Sequence, residues 1–105
     1  MSDLATESGL ELSVIEKIRD VFAGYPQIER VLLYGSRAKG DYRPGSDIDL
    51  TIVGDQLTMS ELIQIENELD ELLLPYKIDL SLLHKIESRE LIDHIRRVGV
   101  VFDKY

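Results

Sequence analysis

The sequence predicts an α/β (α+β) domain: a small mixed β-sheet packed against helices, in the order α-β-β-α-β-α. Three observations carry this. Segments of period-two alternation, such as DIDLTIV at 47–53 and KIDLSLL at 77–83, are interleaved with apolar stripes of helical period. Ser/Thr-x-x-Glu patterns open two of the helical stripes. Glycine and proline fall between the periodic segments, where turns are needed. Strands mixed with helices in this way favour a sheet covered by helices.

Residues 1–12 read as a flexible N-terminal leader and 13–105 as a single domain. Ser13-Val14-Ile15-Glu16 has the capping-box pattern, and Val14, Ile15, Ile18, Val21 and Phe22 follow at helical spacing. Gly24 closes this helix, predicted over 13–23. The β-branched and large apolar residues of 28–34 predict a strand. GSRAKGDYRPGS, at 35–46, reads as irregular, with a short helical turn beginning after Ser36. The second strand is 47–53. Thr58-Met59-Ser60-Glu61 opens a helix with Leu62, Ile65, Leu69, Leu72 and Leu73 on one stripe, ended by Pro75. The third strand is 77–83. A last helix, 88–98, turns Leu91, Ile92, Ile95 and Val98 inward and ends at Gly99, and 100–102 adds a short final strand.

Composition bounds the function. A chain of 105 residues without a compositional break builds one modest core, with little room for a second substrate-recognition lobe. Hydrophobic residues at 44% and charged residues at 30% exclude a disordered chain. The net charge of −8 argues against holding nucleic acid by bulk electrostatics, yet is compatible with a nucleotide bound through Mg²⁺. The absence of cysteine excludes disulfides, thiolate zinc sites and a Cys nucleophile. No apolar run approaches the roughly 18–20 residues that span a bilayer. The acidic, polar start is unlike a signal peptide, so a cytoplasmic location is expected.

Asp47 and Asp49 stand two apart on a predicted strand, so both side chains share one face while Ile48, Leu50 and Ile52 take the other. Carboxylates held this closely raise each other's pKa unless a cation lies between them, and hard oxygen donors suit Mg²⁺. Gly35-Ser36 follows directly on the first strand. Gly35 permits a tight turn, and Ser36 is placed to cap the turn at 37–40, whose backbone N–H groups would face an anion. Arg37, and after it Lys39 and Arg43, can neutralise further phosphate charge. Asp79 on the third strand is the natural third carboxylate, able to bind a metal and to take a proton from an attacking hydroxyl. His84 and His94 read as structural or surface residues.

Gly35-Ser36, ten residues, then Asp47-Ile48-Asp49 resembles the signature of the DNA-polymerase-β-like nucleotidyltransferase superfamily. LLYGSRAKGDYRPGSDIDLTIV is similar to its minimal nucleotidyltransferases, the MNT group, and the element order agrees over about residues 13–102. The resemblance implies the nucleotidyltransferase fold and Mg²⁺-dependent transfer of AMP from ATP to a hydroxyl. Carried over by motif, Asp47, Asp49 and Asp79 would hold two Mg²⁺ ions, and Gly35 and Ser36 would hold the β/γ-phosphates. Asp79 would also assist deprotonation of the acceptor. It further implies a HEPN-type helical toxin as partner and acceptor, with transfer to a tyrosine of that toxin, as in MntA-like antitoxins. Two other readings stay open: a small-molecule acceptor presented by a separate substrate-binding subunit, and a non-catalytic antitoxin that masks its partner.

Overall fold

The computed structural model describes residues 4–103 of the chain. Strands β1 (Arg30–Tyr34), β2 (Ile48–Val53), β3 (Ile78–Leu82) and β4 (Val100–Val101) form one sheet in the order β3-β2-β1-β4. β1 pairs antiparallel with β2 and β4, while β2 and β3 are parallel. A parallel pair needs a crossover, and α4 (Met59–Glu71) supplies it.

The alternation along each strand sorts the sheet into two faces. The register sets Val31 beside Ile52 and Leu82 in one row, and Leu33 beside Leu50 and Leu80 in another. These side chains are buried in one cluster with Val14, Ile15, Ile18 and Phe22 of α2 (Leu12–Ala23) and with Leu62, Ile65 and Leu69 of α4. Each such side chain contributes on the order of 1.5–3 kcal/mol by leaving water. The opposite face carries Tyr34, Asp49 and Asp79 in one row and Leu32, Thr51 and Ser81 in the next. The short α3 (Gly35–Lys39) leads off the end of β1. α5 (Arg89–Val98) lies against this second face, where its Ile92 and Ile95 share a cavity with Leu32 and Leu83.

The structure departs from the sequence expectations in its first residues and at several element ends. Residues 4–12, read as part of a leader, are folded: α1 (Leu4–Ser8) precedes a turn, and Leu10 enters the core at 2% exposure. Residues 1–3 lie outside the described residues. That burial of Leu10 sets the approach to α2, which begins at Leu12 with Glu11 at its N-cap and no side-chain cap bond. Ser13 is therefore already inside the helix, and its capping box does not form. β1 begins at Arg30 because the Ile28 N–H closes a turn onto the Tyr25 carbonyl (3.1 Å). Finally, α4 ends at Glu71, well short of Pro75, because Leu73 turns the chain at φ 53°. Thr58 and Glu61 form the reciprocal capping box that the sequence predicts, and Ser88 caps α5. Among the described residues no helix is long and apolar enough to cross a membrane.

Candidate active site

Asp49 lies at the centre of an acidic row. It pairs directly with Asp79 on the parallel neighbour and with Tyr34 on the antiparallel one. Neighbouring strands lie about 4.8 Å apart, so these side chains stand shoulder to shoulder. Asp47 precedes β2 by one residue and is exposed at its mouth. Burial pushes the Asp49 carboxyl above its ordinary 3.8, the charges of Asp79 and then Asp47 push it further, and His94 and Lys77 partly offset them. Burial likewise raises the Tyr34 phenol; a Ser81 hydrogen bond opposes this, and Asp49 and Asp79 reinforce it.

The three predicted carboxylates are thus close enough to act on one another. Among the described residues, no three His, Cys, Asp or Glu side chains converge tightly enough to hold a metal ion unaided. The donor chemistry fits Mg²⁺, which keeps waters and takes phosphate oxygens instead of a complete protein cage.

The Gly35 turn abuts this row. Gly35 has φ 74°, which favours glycine, and a methyl group on its Cα would push the Asp49 carboxylate out of its place. Its N–H donates to His94 Nε2 (3.2 Å). The His94 ring also meets Tyr34 edge-on, centroids 6.1 Å apart. His94, expected to be a structural or surface residue, takes a structural place: three after Leu91 and four before Val98, it lies on the inward stripe of α5. Ser36 is half-buried in the first turn of α3, where Tyr34 is the N-cap and no side-chain cap bond forms. The capping role expected of Ser36 is not taken, because the helix begins one residue before it.

Arg37 requires a correction. Expected as a phosphate ligand, it is only 3% exposed and points inward. Its Nε and Nη2 both donate to the Ser46 carbonyl (3.1 and 3.0 Å), and Nη1 donates to the Ser8 carbonyl (2.8 Å). The rings of Tyr42 and Tyr76 lie 5.2 and 5.0 Å from its guanidinium carbon. With Nε, Nη1 and Nη2 each donating to a backbone carbonyl and the side chain buried, the guanidinium faces the protein interior and not an open nucleotide site. Lys39 pairs with Asp41 at the surface (3.3 Å), a contact of small energetic weight. Beside the acidic row, the Ser81 hydroxyl donates to Thr51 Oγ1 (3.0 Å), and Thr51 is fully buried. Thr51 and Ser81 stand two after Asp49 and Asp79, so strand alternation already puts each on the carboxylate face, and the register of β2 and β3 sets them side by side.

Comparison with known proteins shows the family and the fold. The family described as polymerase beta, nucleotidyltransferase matches residues 16–104. A protein of Methanocaldococcus jannaschii, assigned by name as a protein adenylyltransferase, is 36% identical over 70 residues. That match covers 64% of this chain and 61% of the archaeal protein, less than two thirds of its length. Among solved structures, a chain of a toxin–antitoxin crystallised with AMP-PNP superposes with a TM-score of 0.69 at 22% identity, over 84% of this chain and 71% of that one. A chain of the MntA-HepT toxin–antitoxin gives 0.65 at 19% identity, over 88% and 71%. A chain of the tri-AMPylated Shewanella oneidensis HEPN toxin in complex with its MNT antitoxin gives 0.58 at 19%, over 95% and 71%. At these identities the structures establish the shared fold.

Proposed function

The chain belongs to the polymerase beta nucleotidyltransferase family, and on that premise we propose that it transfers AMP from ATP to a hydroxyl, with a HEPN-type toxin as partner and acceptor. The observation that carries the reading is the abutment of the Gly35 turn on Asp49, with Asp79 in register beside it. A phosphate-binding turn and a cluster of hard oxygen donors are the two halves of a site for a metal-bound triphosphate. Asp47, Asp49 and Asp79 would hold Mg²⁺, which when bound neutralises phosphate charge. Gly35 and Ser36 would hold the β/γ-phosphates. The acceptor oxygen bonds to the α-phosphorus, the bond from that phosphorus to the bridging oxygen breaks, and pyrophosphate leaves with the bonding pair. The exposed Asp79 carboxylate receives the hydroxyl proton. Positioning and charge neutralisation supply most of the acceleration in such chemistry.

Support for the partner comes from relatives: an archaeal relative named for protein adenylylation, and structural neighbours crystallised as toxin–antitoxin complexes, one of them AMPylated. A tyrosine acceptor and a cytoplasmic setting belong to the same proposal. The test uses a co-expressed HEPN-type protein, Mg²⁺, and ATP labelled at either the α- or the γ-phosphate. Label on the partner from α-ATP alone, lost with Asp47→Ala/Asp49→Ala, supports the proposal, and tryptic mass spectrometry names the modified residue. Label on a small molecule would overturn the protein acceptor. Toxin neutralisation that survives the double substitution would replace catalysis with masking.

A further inference from the structure

We propose that Arg37 is a positioning residue that sets Asp47 against the Gly35–Ser36 turn, and that the segment around Ser8 and Gly9 belongs to the same device. The inference rests on the nucleotidyltransferase reading for what the positioned groups bind, but its geometric part stands by itself.

Burying a guanidinium is costly unless its donors are satisfied, and an apolar side chain would fill this space at lower cost. What Arg37 adds is geometry. Its rigid planar fork places two N–H groups on the single Ser46 carbonyl, and that carbonyl belongs to the peptide bond leading into Asp47. Any displacement of the fork therefore moves Asp47 directly. Tyr76, on one side of the guanidinium, precedes Lys77, whose carbonyl accepts from the Ile48 N–H (2.9 Å) where β2 and β3 begin to pair. One buried group thus touches the entrances of both strands that carry the carboxylates, two residues after Gly35.

The N-terminal segment closes the device. The Ser8 carbonyl takes the third arm of the fork, and Ser8 is fully buried. Gly9 has φ 72°, and a methyl group there would strike the ring of Tyr42, the second aromatic wall of Arg37. Gly9 thereby lets α1 seat Tyr42 on the guanidinium.

The test uses the full chain with Arg37→Lys, which keeps the charge and loses the fork, and with Gly9→Ala, which leaves Arg37 itself unchanged and moves Tyr42. Backbone ¹H–¹⁵N spectra and amide exchange report position, and titration with Mn²⁺ alone reports the metal site. The expected result is displaced Asp47 and Ile48 resonances and faster exchange at Ile48. The amides of α2 and α4 stay as in the wild type, and Mn²⁺ affinity falls about 10–100-fold. Unmoved Asp47 and Ile48 in a folded Arg37→Lys chain would overturn the proposal. So would moved resonances with unchanged Mn²⁺ affinity, because Arg37 would then be merely structural. If Arg37→Lys does not fold, Gly9→Ala decides by the same readouts. A wild-type chain that binds no Mn²⁺, with Asp47 displaced in the variants, would overturn the nucleotidyltransferase reading and leave the positioning role supported.

Discussion

At Asp49 the carboxyl is half-buried between two others, and its charged form is unfavourable in the fold. Because its folded pKa is raised, Asp49 adds stability that is complete below the ordinary value of 3.8 and lost as pH rises through the folded value. Asp49→Asn should therefore raise the Tm by a few degrees at neutral pH, and the gain should vanish as pH falls into the carboxylate range; thermal scans across pH check this. Transfer activity should be lost in the same variant. Leu73 is a second residue under local stress: φ is 53° and the side chain is 88% exposed. A non-glycine residue in this region costs about 1–2 kcal/mol, and so little of Leu73 is buried that glycine gives up almost no packing. Leu73→Gly should stabilise the protein by about 0.5–1 kcal/mol, measured by urea unfolding, once the added freedom of the unfolded chain is subtracted.

At the scale of elements, the Thr58–Glu61 capping box fixes where α4 starts. Thr58→Ala removes the acceptor for the Glu61 N–H (3.2 Å) and should cost about 1 kcal/mol by denaturant unfolding. Transfer rate should not change, since α4 covers the face of the sheet away from the carboxylates. The β1–α3 turn behaves oppositely. Gly35→Ala places a methyl group against Asp49 and should lower the transfer rate roughly 100-fold through misplacement, read in single-turnover assays with labelled ATP. The element boundaries show how far local pattern reaches. The Thr58 box was legible because all of its atoms lie within one turn of sequence. The Ser13 box was equally legible and does not form, because burial of Leu10 settles how the chain enters α2. The end of α4 was hidden because leucine carries no signal for a left-handed backbone.

For the molecule as a whole, a net charge of −8 and an acidic row at the site repel a polyphosphate. ATP binding should require a divalent cation. EDTA should reduce it below detection in calorimetry and Mg²⁺ should restore it, whereas binding that persists in EDTA would show that the basic side chains suffice. The two faces of the sheet divide the labour. One buries Leu33, Leu50 and Leu80 against α2 and α4; the other presents Tyr34, Asp49 and Asp79 beside α3 and α5.

That division was readable from the sequence, because strand periodicity is local: Asp49 and Asp79 had to face away from their apolar neighbours whatever the rest of the chain did, whereas Asp47, read as the first residue of the second strand, lies one residue before β2. Gly35 was readable for a similar reason, since glycine marks a backbone that other residues avoid. Pairing of Asp49 with Asp79 was expected only if their strands were neighbours, and the parallel register of β2 and β3 supplies that condition. The direction of Arg37 and the folding of residues 4–12 were not readable, nor was the seat of His94 on Gly35. They depend on contacts between residues 29 and 59 positions apart, Arg37 with Ser8 and Gly35 with His94. Periodicity and turn chemistry report near neighbours, whereas the inward course of a long charged side chain is decided by which carbonyls and rings the completed fold brings within its reach.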